Sequence, residues 1–299
     1  MHKLTFLSSF FIKILALLFM TFDHVGYFVQ LQYWYDDSLL ELATIFRLIG
    51  RLALPLFAFM IVEGVLHTKN FNKYILRLGI MASLISLLFI VLEYSYSFSE
   101  FDSLLRAGNI FLDLLLLAVC IYCLKHPNWK IRFITLLPII FSILSFVVKA
   151  IEQRDGIDIH WFPAFITMQY DWLTILLGIG FFISYYLADL YIKATYSTTY
   201  LDIDTWKQNG NYRLLVNTIA VFMATLVHVL YYVVAFTNQE VVFWDYKGQL
   251  YAIFSGAFIL IYSGKRGYNA KWFQYGSYLY YPLHLLALLI VYIIVNGGL

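Results

Sequence analysis

The sequence predicts an all-α protein: a polytopic membrane helical bundle of about nine transmembrane helices, with its N-terminus inside and its C-terminus outside. Three observations carry that prediction. Of 299 residues, 62% are hydrophobic and 13% charged, with a mean hydropathy of +0.76; soluble domains are about half apolar and a quarter charged. The apolar residues fall in runs near the 20 or so residues that cross a bilayer. The basic residues between those runs alternate sides. Nothing suggests a linker or a soluble domain, so 1–299 reads as a single integral-membrane domain. The aromatic content of 20% suits helices that end at lipid interfaces.

The runs are 10–33, 45–66, 74–95, 108–124, 131–149, 166–192, 213–236, 249–263 and 273–296. Lys3 and Lys13 precede an apolar stretch, which resembles the start of a signal peptide. Asp23 and His24 interrupt the run, however, and no small-x-small cleavage site follows, so it reads as a retained span. The fourth run contains Cys120 and Cys123. This CxxC lacks further ligands and an αβ context, and reads as two small core residues. Before the sixth run, "HWFPAFITM" (160–168) reads as an interfacial or re-entrant piece broken at Pro163. The polar stretch 194–213 has room for only a short interfacial helix. The eighth run is the shortest.

The charges set the orientation. With the N-terminus cytoplasmic, the inner segments carry Lys3 and Lys13; Lys69, Lys73 and Arg77; Lys125, Lys130 and Arg132; Lys193, Lys207 and Arg213; Lys265, Arg266 and Lys271. The outer side carries Arg47, Arg106, Lys149, Arg154 and Lys247 with most of the acids. That is the positive-inside asymmetry.

Several ionisable groups sit at depth. His24 lies about 16 Å beyond Lys13 along a helix, His284 about 20 Å beyond Lys271, and His228 about 22 Å beyond Arg213. Asp113 and Arg51 enter from the outer side, and Glu63 and His67 share a face at the inner end of the second span. Such groups are expensive in a bilayer. Asp113 has the alternative of pairing with Arg51 or Arg106, Glu63 with His67 of forming an inner-surface pair, and His228 of a plain hydrogen bond inside the bundle. Asp23 and His24 are hardest to dismiss, because neighbours on a helix diverge by about 100° and one would face lipid unless protein surrounds it.

The motifs "LLFMTFDHVGY", "RLIGRLALPLFAFMIVEGVLHTKN", "YILRL", "YSGKRG" and "YYPLHLL" resemble the TraX family of membrane proteins, over nearly the whole chain. The resemblance implies an N-acetyltransferase, since the founding member acetylates the N-terminal amine of a conjugative pilin subunit. More loosely, the elements resemble those of polytopic acyltransferases that carry acetyl groups from cytosolic acetyl-CoA across the membrane. The matching positions are Asp23, His24, Gly50, Arg51, Pro55, Glu63, Lys265, Arg266, Pro282 and His284. Ser263 departs from the asparagine common in the family.

Acetyl transfer from a thioester needs a proton acceptor that is neutral beforehand, and an imidazole qualifies. His24 is the first choice, with Asp23 either assisting it or holding Arg51. His284, preset by the Pro282 bend, is a donor to the developing oxyanion or to the departing thiolate; which histidine takes which role stays open. Tyr281 and Asn109 are further donors, and Arg51, Asp113 and Glu63 complete the expected cavity. The coenzyme phosphates call for basic groups inside: Lys265 and Arg266 between Gly264 and Gly267, widened by Lys271, Arg77 and His67. The expected co-substrate is acetyl-CoA, and the acceptor an exported peptide such as a pilin, or a surface glycan. Neither a metal nor a nucleic-acid partner is expected, and the location is the plasma membrane. A proton-coupled secondary transporter is the alternative, though no internal repeat supports it. A non-enzymatic assembly factor is a third reading.

Overall fold

The computed structural model describes residues 4–33, 35–95, 108–156, 159, 161–196, 207, 210–237 and 246–295. The polar stretch expected to hold an interfacial helix is mostly outside them, as are His160 and the outer acids of 96–107 and 238–245. The described residues are helical: α1 (Ser9–Gln32), α2 (Asp37–Gly50), α3 (Ala53–His67), α4 (Phe71–Ser95), α5 (Ile110–Lys125), α6 (Trp129–Phe133), α7 (Leu136–Asp155), α8 (Trp172–Tyr196), α9 (Gly210–Thr237), α10 (Tyr246–Gln249), α11 (Gly256–Leu260) and α12 (Lys271–Val295). Two 3₁₀ turns, Ala164–Ile166 and Leu250–Ser255, lie between them. No strand occurs among these residues, only a bridge between Leu7 and Tyr262.

Among the described residues, six helical stretches are long and apolar enough to cross a membrane: Ser9–Gln32, Asp37–His67, Phe71–Val91, Trp129–Asp155, Trp172–Thr195 and Gly210–Thr237. They are those of a multi-pass membrane protein. The second merges α2 and α3 across a break at Arg51 and Leu52. The other three expected runs are the fourth, which is the 16-residue α5; the eighth, which is divided into α10, a 3₁₀ turn and α11; and the ninth, which is the 25-residue α12 with Pro282 inside it as expected. Lipid-facing stripes are visible as exposed apolar rows at helical spacing. Leu76, Ile80, Leu84, Leu87 and Val91 form one on α4; Leu137, Ile140, Ile143 and Val147 form another on α7.

Backbone contacts divide the chain into two compact units. The first comprises Met1–Phe57, Ile183–Tyr232 and Asp245–Leu299. Its centre is an α1–α2 hairpin, closed by small residues. A Cβ on Gly26 would fall 2.7 Å from the Ala43 carbonyl oxygen, and one on Gly50 would fall 2.6 Å from the Asp23 Cα. Small residues let helix backbones meet where lipid supplies no hydrophobic drive between helices. α12 packs along the other side of α1.

The second unit comprises Ala58–Phe182 and Val233–Trp244. Its core includes Phe59 edge-on to Phe181 at 5.3 Å, with Leu78, Ile85, Leu117 and Ile121 fully buried. The irregular chain around Pro163, expected as an interfacial or re-entrant piece, has its polar groups held from three helices. Ser86 on α4 donates to Phe165 O (2.7 Å), Asn109 N before α5 donates to Thr167 O (2.9 Å), and Ser145 on α7 accepts from Met168 N (2.9 Å). Non-helical backbone at membrane depth persists only under such satisfaction.

Candidate functional site

In the first unit, Gly50 brings α2 against α1 at Asp23. Arg47 and Arg51, one turn apart on either side of Gly50, then both reach that carboxylate. Arg47 Nη1 donates to Asp23 Oδ2 at 3.0 Å, and Arg51 Nη2 lies 3.6 Å from Oδ1. Asp23 and Arg51 are buried, and the Arg47 guanidinium also lies 5.3 Å from the centre of the Tyr27 ring. Of the two roles open to Asp23, the geometry selects holding Arg51. Arg47 is a correction: the sequence placed it among outer-loop charges, whereas it is an ion-pair partner inside a helix. The signal for it was its i, i+4 spacing from Arg51.

The 100° step from Asp23 to His24 turns the imidazole away from the arginines and toward α12. His24 Nδ1 meets His284 Nε2 at 2.6 Å. The rings are within 7° of parallel with centroids 4.9 Å apart. That separation is what two rings joined edge to edge by such a bond give, so they are nearly coplanar. His284 Nδ1 lies 2.9 Å from Tyr280 O. A carbonyl only accepts, so His284 Nδ1 carries a proton, and in the neutral ring its Nε2 is the acceptor. His24 Nδ1 must then donate, which leaves His24 Nε2 with a bare lone pair and no partner among the described residues. Two neutral imidazoles in series thus present one basic nitrogen.

Two tyrosines frame the pair. Tyr281 sets its ring edge-on to both imidazoles, at 5.7 and 5.4 Å. Tyr280, absent from the sequence-derived set, holds His284 twice, through its carbonyl and through a parallel ring contact at 5.2 Å. Its own hydroxyl meets Thr21 Oγ1 at 2.7 Å, and because Thr21 donates to Leu17 O, Tyr280 is the donor. The i−4 position before a histidine in a helix was the available signal.

The basic turn is also in the first unit. Gly264 and Gly267 adopt φ of 74° and 69°, a backbone that side chains disfavour. Lys265, Arg266 and, at the start of α12, Lys271 are exposed. Both α1 and α12 lead from this end of the unit to the histidine pair, over about 20 Å of helix each.

The remaining candidates belong to the second unit. Asp113 is fully buried and bonded within the second unit; Arg106, one of the partners open to it in the sequence, lies outside the described residues. It accepts from Gln169 N (2.5 Å), Tyr170 N (2.9 Å) and Thr174 Oγ1 (2.9 Å). Asn109 caps α5 through Phe111 N (3.0 Å) and donates to Ala82 O and Ser86 Oγ. Lys149 is a further correction. It is not a loop charge but buried, with Nζ 2.5 Å from Asp171 Oδ2, 2.7 Å from Met168 O and 3.2 Å from Gln169 O. Asp113 and Asn109 therefore hold chain in place. Glu63 is buried with His67 Nδ1 3.7 Å from its carboxylate, and His67 also bonds Glu63 O at 2.9 Å. The two thus form the pair that their i, i+4 spacing offered. Arg77 lies on α4, partly buried. In the first unit, His228 bonds Ala224 O within its own helix at 2.8 Å.

A chain whose described residues are helical, with apolar spans and a histidine pair joining α1 to α12, defines a polytopic membrane protein with a polar centre. Residues 8–292 match the family model described as "TraX protein", and the chain belongs to that family. It is also similar to the "Probable fimbrial assembly protein FimC, serogroup H1" of Dichelobacter nodosus, with 30% identity over 115 residues. That similarity covers 36% of this chain and 43% of the relative, less than half of its length. No solved structure matches the chain.

Proposed function

We propose that the protein is a plasma-membrane acetyltransferase, moving acetyl from cytosolic acetyl-CoA to an amine or hydroxyl of an exported acceptor. The observation that carries this reading is the bare Nε2 of His24, fixed by the chain from Tyr280 O through His284. In this reading nine segments cross or enter the bilayer, N-terminus inside, and the 264–267 turn faces the cytoplasm. Acetyl-CoA docks there with its thiol arm running along α1 and α12 toward the histidines. The similarity to a fimbrial assembly protein favours an acceptor of the pilin kind, presenting an N-terminal amine.

The reaction follows from the tautomers. The acceptor nitrogen attacks the thioester carbon while His24 Nε2 takes its proton. The C–N bond forms, the C–S bond breaks, and the coenzyme sulfur leaves as thiolate and receives that proton. Products are an amide and a free thiol. When His24 becomes an imidazolium, His284 Nε2 still accepts from its Nδ1–H. Tyr281 is the nearest candidate to donate to the oxyanion.

To test this, His24→Ala is reconstituted in proteoliposomes and acetyl transfer from labelled acetyl-CoA is followed. A general base contributes about 10²- to 10⁴-fold, and a loss of that size is expected. Unchanged activity would remove His24 from the chemistry. Substrate flux without coenzyme turnover would instead indicate a transporter.

A further inference from the structure

The turn between α11 and α12 is more than a pair of exposed cations. Residues 6–10 run alongside it as a strap. Phe6 N and Leu7 N donate to Ile261 O at 2.9 and 3.0 Å, Ser263 N and Oγ donate to Leu7 O at 2.8 and 2.9 Å, and Ser9 Oγ donates to Arg266 O at 3.0 Å. At the start of α1, Ser9 N donates to Lys265 O (2.9 Å) and Phe10 N to Arg266 O (3.1 Å). The carbonyls of Lys265 and Arg266 thus cap α1. A side chain at Gly267 would collide with Ser8.

This capping has a consequence for the other face of the turn. No peptide bond in the described chain is cis. In a trans peptide the N–H points opposite to the C=O. The N–H groups of Arg266 and Gly267, whose peptides point their carbonyls at α1, therefore point together away from it. Neither has a hydrogen-bond partner among the described residues. Successive amides aimed the same way beside glycines of positive φ form an anion-binding concavity.

The charges agree. Lys265 and Arg266 have no carboxylate partner among the described residues, and Lys13, one turn into α1, lies within electrostatic reach of Arg266. Arg213 sits at the other glycine: a Cβ on Gly264 would be 3.4 Å from Arg213 Cδ. Its guanidinium lies over the Tyr262 ring at 4.4 Å, and Nη1 donates to Tyr185 Oη at 2.5 Å. Three segments distant in sequence thus place cations around one turn, and the strap holds its amides outward.

We propose that this turn is a phosphate-binding site. Its ligands are the Arg266 and Gly267 amides and the Arg266 side chain, with Lys265, Lys13 and Arg213 supplying further positive potential and residues 6–10 acting as positioning residues. The ligand class is a phosphate ester: the coenzyme's own phosphates, or a phospholipid headgroup. The identification with coenzyme phosphates rests on the acetyltransferase reading; the phosphate site does not.

The test uses the full chain in nanodiscs of neutral lipid, with coenzyme A and ADP as soluble probes. Arg266→Ala is expected to weaken both about tenfold, as loss of a charge-assisted contact does. Lys13→Ala should weaken them about threefold. Ser9→Ala, which removes no charge, should also weaken them a few-fold, with thermal stability followed to confirm folding. If soluble phosphates fail to bind while native mass spectrometry shows anionic phospholipid retained by wild type and lost by Arg266→Ala, the site stands with a headgroup as ligand and the coenzyme dock falls. Binding of both ligand types unchanged in folded Lys265→Ala/Arg266→Ala overturns the site. His24→Ala must keep phosphate binding; loss of transfer with binding intact separates the two proposals.

Discussion

The two units each bury a polar cluster, and the clusters differ in what their atoms leave over. In the second unit Asp113 accepts three hydrogen bonds, and Lys149 directs its Nζ to two carbonyls and a carboxylate. Ser145 both donates to Asp171 and accepts from Met168 N. Most of those partners are backbone groups of the irregular 165–171 chain, which has no helix of its own to satisfy it. In the first unit Asp23 is likewise engaged, by two arginines, but the histidine beside it ends in a lone pair. A saturated buried cluster fixes a chain path. A cluster with one basic atom left over is equipped for proton transfer. Burial alone, which the two share, does not separate them.

Substitutions can break this distinction. The largest effect on folding is expected from Asp113→Ala. It strips the acceptor from two backbone N–H groups and a hydroxyl, each costing about 1–3 kcal/mol when buried unsatisfied. The expected outcome is failure to accumulate a monodisperse protein in detergent, and normal yield and melting would show that Asp113 is not structural. Asp23→Asn comes next: two arginines then face a neutral amide, a loss on the order of 3–5 kcal/mol for a broken buried pair. A melting temperature as in wild type would mean the arginines have other adequate partners.

Smaller effects sharpen the comparison within the first unit. Gly50→Ala pushes a methyl against the Asp23 backbone, and overpacking of this kind costs about 1–3 kcal/mol. Crosslinking between cysteines placed on α1 and α2 should report their separation. Tyr280→Phe removes one hydroxyl bond to Thr21, worth about 1 kcal/mol. Stability should barely change, and acetyl transfer should stay near wild type, because the carbonyl and the ring that hold His284 both remain. A large fall in transfer would show that the hydroxyl, through Thr21, also positions His284.

Much of this was legible in the chain. The apolar runs, the Asp23–His24 pair, the Pro-x-His of the last helix and the Gly-Lys-Arg-Gly turn are local patterns, and local patterns survive translation into helices and a turn. Lys149 and Arg47 were misread because their positions near the ends of apolar runs looked like loop positions. In the folded chain α2 begins eight residues before the predicted span, and the 165–171 chain folds back onto Lys149. Tyr280 stands in the Tyr-Tyr-Pro-Leu-His stretch without having been a candidate, and Lys13 and Arg213 read only as inner-side charges; their contacts became visible only through their neighbours.

Composition and periodicity by themselves determined that this is a helical multi-pass membrane protein, because a bilayer admits few other solutions for so apolar a chain. Whether a given buried group is saturated or left with a basic atom depended on which helices meet, and that was decided by packing: by Gly50 letting α2 reach Asp23, by α12 lying on α1, and by residues 6–10 binding the 261–267 turn. Those contacts join positions as much as 260 residues apart, and no rule of sequence spacing reaches that far.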